Sequence, residues 1–178
     1  MKNFDKQKTI KTLNNIMELE LSGVVRYTHY SLMVYGYNRI PIVSWLKANA
    51  QEGLDHATKA GELVTMLGGH PSLKIGSLLE TERHDIGDIL RESLEHEAKT
   101  AAVYYELLEL VEGESVVLEE YAREMIHLEE MHLDEVNKKI DNLESKLTNL
   151  SHKNNNEMTE IIDSVKFCIT NIKNYDNT

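Results

Sequence analysis

One cysteine, Cys168, stands in a chain of 178 residues. An intrachain disulfide and a four-cysteine metal site are thereby excluded. Proline is nearly as scarce: Pro41 and Pro71 are the only two, and both fall between long stretches with helical apolar spacing. No apolar run is long enough to cross a bilayer, and the opening MKNFDKQKTIKTLNN does not read as a signal peptide. A cytoplasmic protein with no membrane partner is the expectation. Positive charge is also short, with 19 Lys and Arg against 30 Asp and Glu and a formal net charge of -11. Such a chain repels a phosphate backbone, so no nucleic-acid partner is expected. An acidic surface suits cations, although solubility alone accounts for a net charge of this kind.

What remains is 41% hydrophobic and 28% charged, the make-up of one ordinary domain with a substantial core. The apolar spacing predicts an all-α chain. A first helix runs from about Asp5 to Tyr35 and closes in GYNRIP. Pro41 suits the first turn of a second helix, which continues to about Leu67 before Gly68 and Gly69 stop it. Residues 70–85 (HPSLKIGSLLETERHD) form a long, punctuated connection. A third helix spans about Ile86 to Glu112, and a fourth begins near Val116. Short, long and short connections in that order predict a four-helix bundle with one long crossover, its second and third helices parallel.

The fourth helix outruns the bundle. Val136, Ile140, Leu143, Leu147 and Leu150 recur at steps of four and three, as in a short coiled-coil seam. The expected organisation is a bundle domain over 1–150, a polar linker over 151–156, and an additional C-terminal amphipathic helix and tail over 157–178. Ile161, Ile162, Val165, Phe167, Ile169 and Ile172 supply the apolar face of that last segment.

Acids and histidines recur on the faces that should point inward. Glu129 and His132 are three apart on the fourth helix, and Glu52 and His56 are four apart on the second. Both spacings put a pair on one helix face. The first helix contributes Glu20 and the third Glu97. Thirty-two positions separate Glu20 from Glu52 and again Glu97 from Glu129, and a tyrosine follows each first acid by seven, at Tyr27 and Tyr104. The halves therefore repeat each other and build a site with approximate twofold symmetry.

Four carboxylates facing a core could not all stay ionised without compensating cations, because an isolated buried charge is prohibitively costly. Two divalent ions would neutralise them, with the imidazoles as further donors. Oxygen and nitrogen donors without thiolate suit iron or manganese. Glu18, Glu119, Glu120, Glu124, Glu130, Glu135, His29, His84 and His127 read as ordinary solvated or packed residues. Tyr27 and Tyr104 read first as core residues with satisfied hydroxyls.

The motifs ELSGVVRY, HATKAGELVTMLGGHPSL, LRESLEHEAK and EEMHLDEV resemble the bacterioferritin branch of the ferritin-like superfamily, over about Leu13 to Ile140. By that resemblance Glu20, His56, Glu97, Glu129 and His132 match the dimetal ligands, and Tyr27 matches a tyrosine close to them. The resemblance implies two iron ions per subunit, with manganese as the alternative. It also implies ferroxidase activity on Fe(II) with O2 or H2O2, and iron storage and detoxification in a homo-oligomer, a 24-subunit cage or a smaller assembly down to a dimer. The competing expectation is a diiron or dimanganese redox enzyme that removes peroxide or oxidises a small molecule without storing iron.

Two residues depart from that family's pattern. The position three before His56, where the family carries a bridging glutamate, is Gly53, so Glu52 is the expected ligand from one position earlier. Leu54 stands where bacterioferritins carry the methionine that ligates haem, so haem is not expected.

Overall fold

The computed structural model describes residues 4–36, 39–78, 81–82 and 85–175, and beyond Lys146 only the side chains of residues 148 and 149. Its helices are α1 (Lys6–Met33), α2 (Arg39–Met66), α3 (Ile86–Val111) and α4 (Val116–Tyr175). No strand occurs among the described residues, and none of their helices is long and apolar enough to cross a membrane. The chain divides into two compact units, Met1–Asn137 and Lys138–Thr178. The first unit holds the four-helix bundle and the second the far part of α4.

Local chemistry sets the helix ends. The Asp5 carboxylate accepts from the Lys8 N–H at 3.0 Å, and Asp85 caps α3 by accepting from Gly87 N–H at 2.8 Å. Gly68 ends α2 at φ +71°, with Gly69 N–H bonded to Val64 C=O and Gly68 N–H to Thr65 C=O. That pair of bonds is a Schellman closure, which needs a left-handed residue that glycine supplies without strain. Each cap is worth about 1 kcal/mol, and each large apolar side chain fully buried about 1.5–3 kcal/mol. Packing therefore decides the architecture.

That packing falls into two apolar clusters. Leu13, Ile16, Ala60, Val64, Tyr104, Leu107, Leu118 and Met125 belong to the larger, to which all four helices contribute. Val34, Val43, Leu46 and Ile89 belong to the smaller, between the end of α1 and the starts of α2 and α3. By position along α1, α2 and α3, Glu20, His56 and Glu97 fall between the two.

Pair contacts give the helix directions. Gly53 lies against Glu20, Gly61 against Met17 and Gly69 against Ile10, so α2 runs antiparallel to α1. Tyr104 reaches Glu20 and Tyr27 reaches Glu97, so α3 also runs antiparallel to α1 and hence parallel to α2. The predicted crossover is therefore present. Residues 70–78 climb along α1: Ser72 N–H donates to Asn14 Oδ1 at 2.7 Å, Gly76 N–H to Glu18 C=O at 2.6 Å, and Arg26 to Ser77 C=O at 3.4 Å. A Cβ on Gly76 would lie 3.0–3.1 Å from Ser22 Oγ and Glu18 O, so only glycine lets the crossover lie this close.

The break expected at 151–156 is absent: α4 is helical without interruption to Tyr175. SHKNNN contains neither proline nor glycine, and asparagine costs a helix only a few tenths of a kcal/mol per residue, too little to stop it. The side chains of Leu147, Leu150, Cys168 and the apolar set from Ile161 to Ile172 lie outside the described residues.

Candidate metal centre

A set of acids and histidines anticipated from the sequence interrupts the bundle core. Glu20 comes from α1, His56 from α2, Glu97 from α3 and Glu129 from α4, and all four are buried. His132, one turn beyond Glu129, is half-buried. Two groups of donors each converge to within 4.8 Å, Glu20 with His56 and Glu129, and Glu97 with Glu129 and His132. Glu129 belongs to both. It is also the most enclosed of the acids at 1% exposure, and one of its oxygens, Oε2, is buried with no hydrogen-bond partner.

Each histidine turns its Nδ1 toward buried carboxylates. His56 Nδ1 stands 3.4 Å from Glu20 Oε1 and 3.7 Å from Glu129 Oε1, and His132 Nδ1 stands 3.9 Å from Glu97 Oε2. The two rings are nearly parallel, with planes 18° apart and centroids separated by 6.5 Å.

Two tyrosines brace the acids in a crossed manner. Tyr104 on α3 donates to Glu20 Oε1 on α1 at 2.7 Å, and Tyr27 on α1 donates to Glu97 Oε1 on α3. The repeat in the sequence thus becomes a swap in space, each half's tyrosine serving the other half's glutamate. Burial pushes both phenols well above their ordinary range, assisted by the neighbouring carboxylates. They remain donors at any ordinary pH.

The carboxylates respond unequally to being crowded. Burial, then the charges of Glu97 and Glu20, pushes Glu129 up to about 11. Burial acts on Glu97 in the same sense, but hydrogen bonds from His132, Glu129 and Tyr27 overcome it and hold Glu97 down at about 2. Without metal, the Glu97–Glu129 pair keeps one proton between them. Glu20 is raised by burial, and His56 and Tyr104 oppose the rise. His132 is raised by its bond to Glu97, against its own burial. A cluster that must retain protons to stay buried is one that cations can occupy in their place.

Glu52 does not join either group. Its side chain is 40% exposed, with Oε2 3.3 Å from His132 Nε2 and Oε1 3.9 Å from His56 Nε2. The expectation that it is a ligand therefore meets a different placement, at the outer edge of both imidazoles. Shifting one position along a helix rotates a side chain by about 100°, and the inward position is taken by Gly53. A Cβ on Gly53 would meet Glu20 O at 3.4 Å and Glu20 Oε2 at 3.5 Å, which is ordinary contact distance.

Spacing gave no hint of His96. It is buried in the wall of the centre beside Gly23, whose Cβ, if present, would lie 2.8 Å from His96 Nε2. Burial pushes its imidazole down, toward the neutral form. Adjacent to Glu97, it falls on another face of α3, where periodicity carries no signal. Tyr104 was legible as a seven-residue echo of Tyr27, but its bond to Glu20 was not.

The donor set fits a pair of metal ions: buried oxygen donors, two imidazole nitrogens, a carboxylate common to both groups, and an orphaned oxygen on that same carboxylate. The ferritin-like domain family matches residues 10–146. No curated protein matches the sequence. Among solved structures, a ferritin-like diiron-carboxylate protein of Bacillus anthracis superposes with a TM-score of 0.73 at 22% identity, over 78% of this chain and 99% of that one. A dodecameric thioferritin of Bacteroides fragilis, described as bacterioferritin-related, gives 0.73 at 19% identity over 80% and 90%. Desulfovibrio desulfuricans bacterioferritin, which carries a diiron site, gives 0.69 at 25% identity over 79% and 82%. The chain belongs to the ferritin-like family, and the bacterioferritin branch that its motifs resemble stands among its structural neighbours.

Proposed function

We propose that this chain holds two iron ions inside its bundle and oxidises Fe(II) with O2 or H2O2, serving iron storage and detoxification as a cytoplasmic homo-oligomer. The observation that carries the reading is Glu129, a fully buried carboxylate common to two converging donor groups and left with an unpartnered oxygen. Glu20 and His56 would hold one ion, Glu97 and His132 the other, and Glu129 would span both. Bound iron supplies one-electron redox chemistry and a place for the oxidant.

The chain's own residues do the rest. Tyr27 occupies Oε1 of Glu97, which leaves Oε2, the oxygen facing His132 Nδ1, open to an ion, and Tyr104 steadies Oε1 of Glu20, the oxygen nearest His56 Nδ1. The two apolar clusters keep the flanking helices dry and hold the carboxylates in place. Protons released by Glu129 and His132 as metal enters would leave toward the exposed side at Glu52. The donor set suits manganese as well. Haem is not expected, because Leu54, standing where the resembled family carries a ligating methionine, offers no ligating atom.

A diiron or dimanganese redox enzyme that stores nothing would use the same residues, and the uninterrupted 60-residue α4 favours that second reading. A ferritin-type shell would have to accommodate a helix continuing far beyond His132. Light scattering with elemental analysis after anaerobic Fe(II) loading and air exposure separates the two. A cage-sized particle holding far more than two irons per chain is the expected result. A dimer saturating near two irons per chain would replace storage by the redox-enzyme reading, and a chain taking up no iron would overturn both.

A further inference from the structure

We infer that Glu52 is not a metal ligand but a positioning residue that clamps the outer nitrogens of both metal-binding histidines at once. The inference rests on the two-ion reading above and concerns what replaces the carboxylate missing at Gly53.

An imidazole has two nitrogens, and in both rings here they are committed in the same sense. Nδ1 of His56 faces Glu20 and Glu129, and Nδ1 of His132 faces Glu97. Nε2 of each ring faces the opposite way, toward a single carboxylate: Glu52 Oε1 for His56 and Glu52 Oε2 for His132. The near-parallel stacking of the rings is what lets one carboxylate reach both.

A nitrogen that binds metal carries no proton, so the proton of a neutral ligating histidine sits on the other nitrogen and needs an acceptor. Glu52 places one acceptor oxygen before each Nε2, 3.3 Å from that of His132 and 3.9 Å from that of His56. That arrangement selects the Nε2–H tautomer in both and leaves Nδ1 free for metal. The exposure of Glu52 agrees with this role. A carboxylate between two cations is desolvated, as Glu129 is, whereas one facing two imidazole nitrogens from a rim, at 3.3 Å and 3.9 Å, keeps its contact with water. Gly53, facing inward with ordinary contact distance above it, leaves the inner position without any side chain.

One histidine alone could not carry this inference, because a rim acid beside a rim imidazole is commonplace. Two rings offering the same nitrogen to the two oxygens of one carboxylate is a specific geometry. It also makes the two metal positions mechanically dependent on one surface residue, so losing Glu52 should disturb both ions alike.

The test uses the full chain with Zn(II), a diamagnetic probe, and compares the wild type with Glu52→Ala and Glu52→Gln. Elemental analysis gives the stoichiometry, equilibrium dialysis the affinity, and long-range 1H–15N spectra of the histidine rings identify the metallated nitrogen. The expected result is two Zn(II) per chain in all three proteins, with Nδ1 metallated in both rings. In Glu52→Ala the affinity should weaken by roughly 10- to 100-fold, as for loss of an outer partner, and the Nε2–H protons of His56 and His132 should exchange faster together. Glu52→Gln, which offers one acceptor oxygen, should recover part of the loss. A fall to one Zn(II) per chain in Glu52→Ala would overturn the inference while leaving the two-ion reading intact, and so would metallation at Nε2. A wild type that binds neither Zn(II) nor Fe(II) would overturn both.

Discussion

Glu52 on α2 and Glu129 on α4 occupy corresponding places in the two halves of the bundle, yet their surroundings are opposite. The Glu129 side chain is 1% exposed and shared between two donor groups, whereas that of Glu52 is 40% exposed and lies beyond the histidines. The cause is one residue of spacing: Glu129 stands three before His132, and Glu52 stands four before His56. Half a pseudo-symmetric site can thus be moved from core to rim without disturbing the crossed tyrosine braces or the apolar clusters around it. The difference teaches that helix register, more than residue type, decides whether a carboxylate becomes part of a buried charge cluster.

The largest effect should come from removing the buried member. Glu129→Ala is expected to abolish tight binding at both metal positions and with it rapid Fe(II) oxidation, whereas Glu52→Ala retains two ions. Elemental analysis of the loaded proteins checks this, and a Glu129→Ala protein that still holds two ions would erase the distinction.

The pH dependence of the metal-free protein comes next. Glu129 is raised from its ordinary 4.5 to about 11, so the stability it contributes is full below pH 4.5 and is lost as pH rises toward 11. Glu20 and His132 are raised and act in the same direction. Glu97 is depressed to about 2, so its contribution holds above pH 4.5 and is lost only as pH falls toward 2. Between pH 5 and 9 the metal-free chain should therefore become easier to unfold as pH rises. Metal binding, which needs deprotonated ligands, should strengthen over the same range. Denaturant midpoints with and without Fe(II), taken anaerobically, check the sign of each trend.

A smaller effect tests the symmetry that survives. Tyr27→Phe and Tyr104→Phe each strip a donor from a buried carboxylate, which should cost about 1–3 kcal/mol of stability apiece. Chemical denaturation with an unchanged m-value would show it. A large loss at one tyrosine and none at the other would mean that the braces are not equivalent.

The smallest effect compares two glycines. Gly53→Ala meets only ordinary contacts and should be neutral or stabilising by about 0.5–1 kcal/mol, the usual gain in a helix interior. Gly23→Ala puts a Cβ 2.8 Å from His96 Nε2, so the ring must move, at a cost of about 1–3 kcal/mol. Thermal unfolding of the two variants should move in opposite directions.

Much of this was legible in the sequence. Helix ends were marked by Pro41 and Gly68, each acting through its own backbone chemistry. The crossover followed from one long connection between two short ones. Glu20, His56, Glu97, Glu129 and His132 were legible as a set because the 32-residue repeat and the motifs around them single them out. Glu52 was not, since spacings of three and four share a face only to within a wide arc, and the position of Gly53 within that arc is a tertiary fact. Nor was the continuity of α4 through SHKNNN, because asparagine is a weak stop signal whose outcome depends on what flanks it.

The crossed tyrosine bonds carry one more consequence. Tyr27 to Glu97 and Tyr104 to Glu20 are the contacts that two identical helical hairpins would make around a twofold axis. Two separate copies of one hairpin could use them, but any change in one copy would appear in the other. Tethering the hairpins through the crossover along α1 frees each to accumulate its own differences. A glycine can then stand at 53 while a glutamate stands at 129, so the covalent link that looks like mere wiring is what permits a lopsided site.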